Sequence, residues 1–125
     1  MNQTEELKKR CKQFAIRIVM LFRSLPRTDE ARIIGKQVLR SGTSVAANYR
    51  AVCRARSKAE FIAKIGVVVE EADETVFWLE LIVDTGIVRE ARLRSLMSEG
   101  NELLAIFAAS QYTARTDEFI ESMNK

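Results

Sequence analysis

Apolar residues recur along most of this chain at intervals of three and four, the spacing that places them on one face of a helix. The first stripe runs Leu7, Cys11, Phe14, Ile18, Leu21 and Leu25, widened by Ala15 and Phe22. Thr4 stands where an N-cap would, Glu5 and Glu6 follow in the first turn where carboxylates favour the helix dipole, and Pro26 ends the element. A second stripe opens near Thr28-Asp29-Glu30 and carries Ile34, Val38, Val45, Tyr49 and Val52. Its middle, Ser41-Gly42-Thr43-Ser44, is weakly helix-forming and leaves a kink or break open.

Ser57 with Glu60 three places later is a capping-box pattern directly before the longest stripe: Phe61, Ile65, Val68, Ala72, Val76, Leu79, then Ile82 or Val83. Gly86 follows where a C′ glycine closes a helix. At 1.5 Å per residue this third helix is roughly 40 Å long. The β-branched run Val67-Val68-Val69 does not interrupt it, because the stripe continues on both sides. A fourth helix from about Arg89 has Leu93, Leu96, Leu103 and Phe107 inside, with Gly100 at the vacant position. Past Tyr112 the chain turns polar, so residues 1–111 read as the folded unit and 112–125 as a polar tail or a short helix around Phe119, Ile120 and Met123. Four amphipathic helices joined by short connections predict an all-α fold, an antiparallel up-down-up-down four-helix bundle.

Composition narrows the chemistry. With 5 Gly and 1 Pro in 125 residues, a fold of many short strands and sharp turns is excluded. Histidine is absent, which removes Ser-His-Asp and Cys-His catalysis and every His-ligated metal site. Cys11 and Cys53 stand in apolar surroundings with no CxxC spacing and read as reduced thiols, with a bridge left as the lesser alternative. No apolar run approaches the roughly 18 residues of a membrane span, and no signal-peptide pattern opens the chain; the expectation is a cytoplasmic protein without membrane contact. The acids Glu70, Glu71, Asp73 and Glu74 flank the buried stripe and read as an outward or interfacial face. Gly35-Lys36 lacks the Ser or Thr and the earlier glycine of a phosphate loop. No catalytic residue, cofactor or metal site is expected.

The net charge of +3 hides a division. Residues 1–64 carry 15 Lys/Arg against 5 Asp/Glu, a net of +10; residues 65–125 carry 5 against 12, a net of −7. In the predicted bundle, one end gathers Lys8, Lys9, Arg10 and Lys12 with Arg50, Arg54, Arg56 and Lys58, while Lys36 and Arg40 continue along helix 2. Arg50, Arg54 and Lys58 stand at four-residue intervals, where like charges repel unless an anion lies near. These ten cations are the candidates for RNA phosphates, against the alternative of a solvated face bridged to the acidic helix 3. A basic flank and an acidic flank on one bundle are also complementary head to tail. The small and polar Ser41, Gly42, Thr43, Asn48 and Tyr49, with Glu70, Glu71 and Glu74, are the candidates for a subunit interface; close packing within the chain is the competing use of the small ones. Trp78 and Tyr49 read as packing residues.

The run from Gly35 to Ala51 (GKQVLRSGTSVAANYRA), then Arg54 to Ile62 (RARSKAEFI), Glu71 to Thr75 (EADET) and Trp78 to Leu81 (WLEL) resembles the bacterial 23S rRNA intervening-sequence proteins, over roughly residues 7–111. The resemblance implies a left-handed bundle assembled as a barrel-shaped homopentamer, sometimes labelled a ribosomal protein, with no catalytic residues to carry over. A distant relative of that family is a reverse-transcriptase accessory pentamer. RNA, with ribosomal RNA favoured, is therefore the expected partner, and a protein partner with nucleic acid recruited secondarily is the alternative. One departure stands at Val69-Glu70-Glu71, where relatives commonly place a lysine; the more acidic helix 3 speaks against RNA along it.

Overall fold

A computed structural model describes residues 2–124. It holds four helices, α1 (Gln3–Ser24), α2 (Asp29–Val52), α3 (Lys58–Asp84) and α4 (Glu90–Met123), and no strand among the described residues. The cap of α1 lies two residues before Thr4: Asn2 is the N-cap, its Oδ1 accepting from the Glu5 N–H at 2.8 Å. Leu25 is extended, as the residue before a proline must be, and this ends α1 at Ser24. Thr28 caps α2 and Ser57 caps α3, each hydroxyl accepting a backbone N–H three residues on, at 3.3 and 3.0 Å. Glu60 does not reach back to complete the capping box; its carboxylate pairs with Lys64 at 3.1 Å and Arg56 at 3.5 Å. At the other end of α3, Gly86 sits at φ +77° and donates to the Val83 carbonyl, while Ile87 donates to that of Ile82. These two bonds form a Schellman closure, which needs a left-handed residue and so a glycine.

Antiparallel order is visible in the cross-helix pairs. Gly35 lies against Phe22 and Leu25, and Gly42 against Ile18; Ser41 meets Thr75; Gly66 faces Gln111; Arg10 meets Glu99 while Arg17 meets Ser95. Consecutive helices pack extensively, and α1 closes on α4 by a much thinner seam. The predicted stripes are the core: Phe14, Ile18, Val38, Val45, Ile65, Val68, Leu79, Ile82, Leu103 and Phe107 are all buried. Gly100 is buried at the vacant position beside the Phe14 ring, where an added Cβ would make ordinary contact at 3.4 Å.

Two expectations change. The Ser41–Ser44 segment does not break α2, which runs without interruption from Asp29 to Val52, and side-chain hydrogen bonds hold its polar groups within the helical packing. Thr43 donates to the Leu39 carbonyl at 2.7 Å, Asn48 to that of Ser44 at 2.8 Å, and Ser41 pairs with Thr75 across the α2–α3 seam. Small residues here serve close approach: a Cβ on Gly42 would meet Ile18 Cγ1 at 2.8 Å. Nor is residue 112 a break in the backbone. α4 runs on to Met123, past the last buried position at Phe107. Lys58 on α3 pairs with Glu121 at the far end of this extension.

Candidate functional site

The cations of the first half meet two different fates. On α1, Arg10 faces α4 and holds Glu99 with two hydrogen bonds, at 2.7 and 3.1 Å, and Glu102 at 3.1 Å. The bond to Glu99 outweighs the cost of burial and raises the guanidinium's pKa above its ordinary value. On α2, Arg40 spans to Glu71 at 3.2 Å and Glu74 at 2.5 Å. Its hydrogen bond holds Glu74 below the usual carboxylate range, helped by the Trp78 indole N–H donating to the same side chain at 3.2 Å. Lys58 is raised by its hydrogen bond to Glu121, and Arg56 is held by Glu60. Thus part of the +10/−7 polarity is neutralised inside one chain, between α1 and α4, between α2 and α3, and between the start of α3 and the end of α4.

What remains is a basic face on α1 and α2. Lys8, Lys9, Lys12 and Arg50, with one acid, Glu5, line a trough of about 650 Å³ between these helices, floored by the small Thr43, Ala46 and Ala47. Lys8 is 3.7 Å from Glu5 on the rim. Lys9, Lys12 and Arg50 are exposed and enter no ion pair among the described residues. Arg54 is also exposed, but it does not extend a helical row. α2 ends at Val52 and α3 begins at Lys58, so the four-residue interval from Arg50 through Arg54 to Lys58 crosses a turn.

Lys36 lies at the opposite end of the seam. There it joins three cations that the sequence reading passed over, Arg23, Arg27 and Arg32, around a cavity of about 320 Å³ beside Phe22, Leu25 and Pro26. All four are exposed. The available signal was their clustering within ten residues of the Pro26 turn, which brings the end of α1 onto the start of α2. The α1–α2 face therefore carries two basic clusters, joined by unbroken helix.

The interface candidates also divide. Ser41, Gly42 and Tyr49 are buried inside the chain, Tyr49 with its ring 5.3 Å from that of Phe107. Thr43 and Asn48 are half-buried with their side chains bonded to their own helix, and Glu71 and Glu74 belong to Arg40. Glu70 is exposed. With Asp73, Glu80 and Asp84, also exposed and outside any ion pair among the described residues, it forms an acidic stripe along α3. At the centre of that stripe stands Phe77, 51% exposed and edge-on to Trp78.

Cys11 and Cys53 are free thiols, and burial pushes Cys11 up to about 12. Among the described residues no group of three or more His, Cys, Asp or Glu side chains is placed to hold a metal ion, and no helix is long and apolar enough to cross a membrane.

A family model described as 23S rRNA-intervening sequence protein matches residues 3–109. No curated protein shows a significant match. Among solved structures, the chain is similar to a protein of unknown function from the S23 ribosomal protein family of Bacteroides thetaiotaomicron. The two share 32% identity over 89% of this chain and 99% of that one, with a TM-score of 0.81.

Proposed function

The chain belongs to the 23S rRNA-intervening sequence protein family, and from that premise we propose that it is a non-enzymatic, cytoplasmic, homo-oligomeric bundle that associates with RNA through the α1–α2 face. The observation that carries this reading is the sorting of the cations. Arg10, Arg40, Arg56 and Lys58 are engaged with acids of the same chain, while Lys9, Lys12 and Arg50 stand uncompensated around one trough. Like charges held together without a counter-ion repel, and the arrangement is favourable when phosphates supply the missing charge. The family description makes ribosomal RNA the first ligand to try.

Self-association is supported by the α3 stripe. An exposed phenyl ring ringed by Glu70, Asp73, Glu80 and Asp84 is a small apolar centre with a charged rim, the layout of a protein contact, and its sign is opposite to that of the first half of the chain.

Salt-titrated binding of the purified protein to structured RNA tests the RNA reading. The expected result is an affinity that falls steeply as salt rises from about 50 to 200 mM; an affinity indifferent to salt sinks the electrostatic mechanism. A second reading, a scaffold for another protein, is favoured by Tyr112, Phe119, Ile120 and Met123, all at least half exposed on the last turns of α4. Copurification of a stoichiometric protein without RNA would select it.

A further inference from the structure

The basic face has charge and small residues but no exposed ring; Phe22, which lines the Arg23–Lys36 cavity, is half-buried. Phe14 and Tyr49 of α1 and α2 are buried, and Phe22 is turned onto Gly35. Every aromatic side chain that is more than half exposed among the described residues, namely Phe77, Tyr112 and Phe119, lies on α3 or α4, in the acidic half. Proteins that take single strands depend on aromatic platforms for the unstacked bases. Double-stranded RNA keeps its bases stacked and is recognised by shape, phosphates and 2′-hydroxyls.

The spacing of the clusters points the same way. Fourteen residues of unbroken α2 separate Lys36 from Arg50, which at 1.5 Å per residue sets the two clusters about 20 Å apart. A stiff ligand with phosphates at fixed separation satisfies both clusters without losing chain entropy, whereas a flexible strand must be ordered to do so.

We infer that the nucleic acid this face takes is double-helical RNA, held through its phosphates with its bases left paired; the inference rests on the RNA association proposed above. Recognition is then indifferent to sequence, since the trough offers phosphate-binding cations and small residues and no aromatic side chain.

The experiment compares a duplex of about 16 base pairs, the span of a typical double-stranded-RNA reader, with either of its strands alone, with a duplex of unrelated sequence and with the corresponding DNA duplex. The full-length chain is titrated against each at fixed salt. The RNA duplex is expected to bind at least about tenfold tighter than the single strand, which lacks a platform here, and the unrelated duplex to bind equally. Substituting Arg23 and Arg27 by Ala, with helicity checked by circular dichroism, is expected to weaken the duplex and not the strand. A strand that binds as tightly as the duplex, and still weakens on Lys9→Ala, Lys12→Ala and Arg50→Ala, overturns the duplex inference and leaves RNA association standing. A DNA duplex bound as tightly as the RNA duplex removes the RNA assignment, and a failure to bind any of the four removes both readings.

Discussion

The hydroxyls of Ser41 and Thr75 stand 2.9 Å apart at the α2–α3 seam, each on a fully buried residue. Thr75 also lies 2.7 Å from the Glu71 carbonyl, one turn earlier in its own helix, while Ser41 has only a 3.5 Å contact with the Val38 carbonyl. Thr75→Val strands the Ser41 hydroxyl in an apolar seam and is expected to cost about 1–3 kcal/mol in thermal or urea unfolding. Ser41→Ala together with Thr75→Val is expected to cost less than the two single changes added. An additive cycle would show that the two hydroxyls do not act as a pair.

Glycines separate backbone propensity from packing. Gly42→Ala gains helix propensity worth about 1 kcal/mol, but its Cβ would press into Ile18 at 2.8 Å, buried core with no room to yield. The balance is expected to be destabilising by about 1–2 kcal/mol. At Gly100 the nearest atoms are 3.4 Å away, so Gly100→Ala is expected to be neutral or stabilising by up to about 1 kcal/mol. Gly86→Ala has open space around it and still loses about 1 kcal/mol, because φ is +77°. Denaturant midpoints of the three variants check this ranking.

How much of this was legible from residues alone depends on how local the cause was. The Ser57 cap, the Pro26 stop and the Gly86 closure are decided within a turn, and each falls where the spacing put it. Cations that are neighbours in sequence cannot be ranked that way: Lys9 and Arg10 are adjacent, yet one is uncompensated and the other is engaged by an acid 89 positions on. The buried Ser41 hydroxyl likewise finds its partner in Thr75, a residue of another helix. α4 beyond Tyr112 has no inward stripe to announce it; its length is supported by helix-forming residues and by the start of α3 alongside.

Cys11 gives the fold an alkaline limit. Its thiol is held up to about 12 by burial, against 9.0 ordinarily. Between those values the unfolded chain loses this proton while the folded chain keeps it, so stability falls as pH rises from about 9 towards 12. Unfolding midpoints measured across this range are expected to decline, and Cys11→Ala to flatten the decline. Below about pH 9 the cysteine contributes no slope.

Phe77 tests the proposed self-association. Phe77→Glu adds a fifth acid to the α3 stripe and removes its apolar centre, at a residue whose side chain is half exposed. Light scattering is expected to report an oligomer for the parent and a smaller species for the variant, with helicity by circular dichroism unchanged. A parent that stays monomeric at micromolar concentration contradicts the oligomer reading.

The central claim is that uncompensated cations, rather than basic residues in general, carry RNA. Two variants of equal net charge separate these: Lys9→Ala with Arg50→Ala empties the trough, and Arg10→Ala with Arg40→Ala removes cations already neutralised by Glu99, Glu71 and Glu74. Binding to one structured ribosomal RNA fragment is measured for both across a salt series. The trough variant is expected to lose about tenfold or more in affinity and to lower the slope of log K against log salt by about 2, while the other changes little. Equal losses in the two variants would contradict the claim.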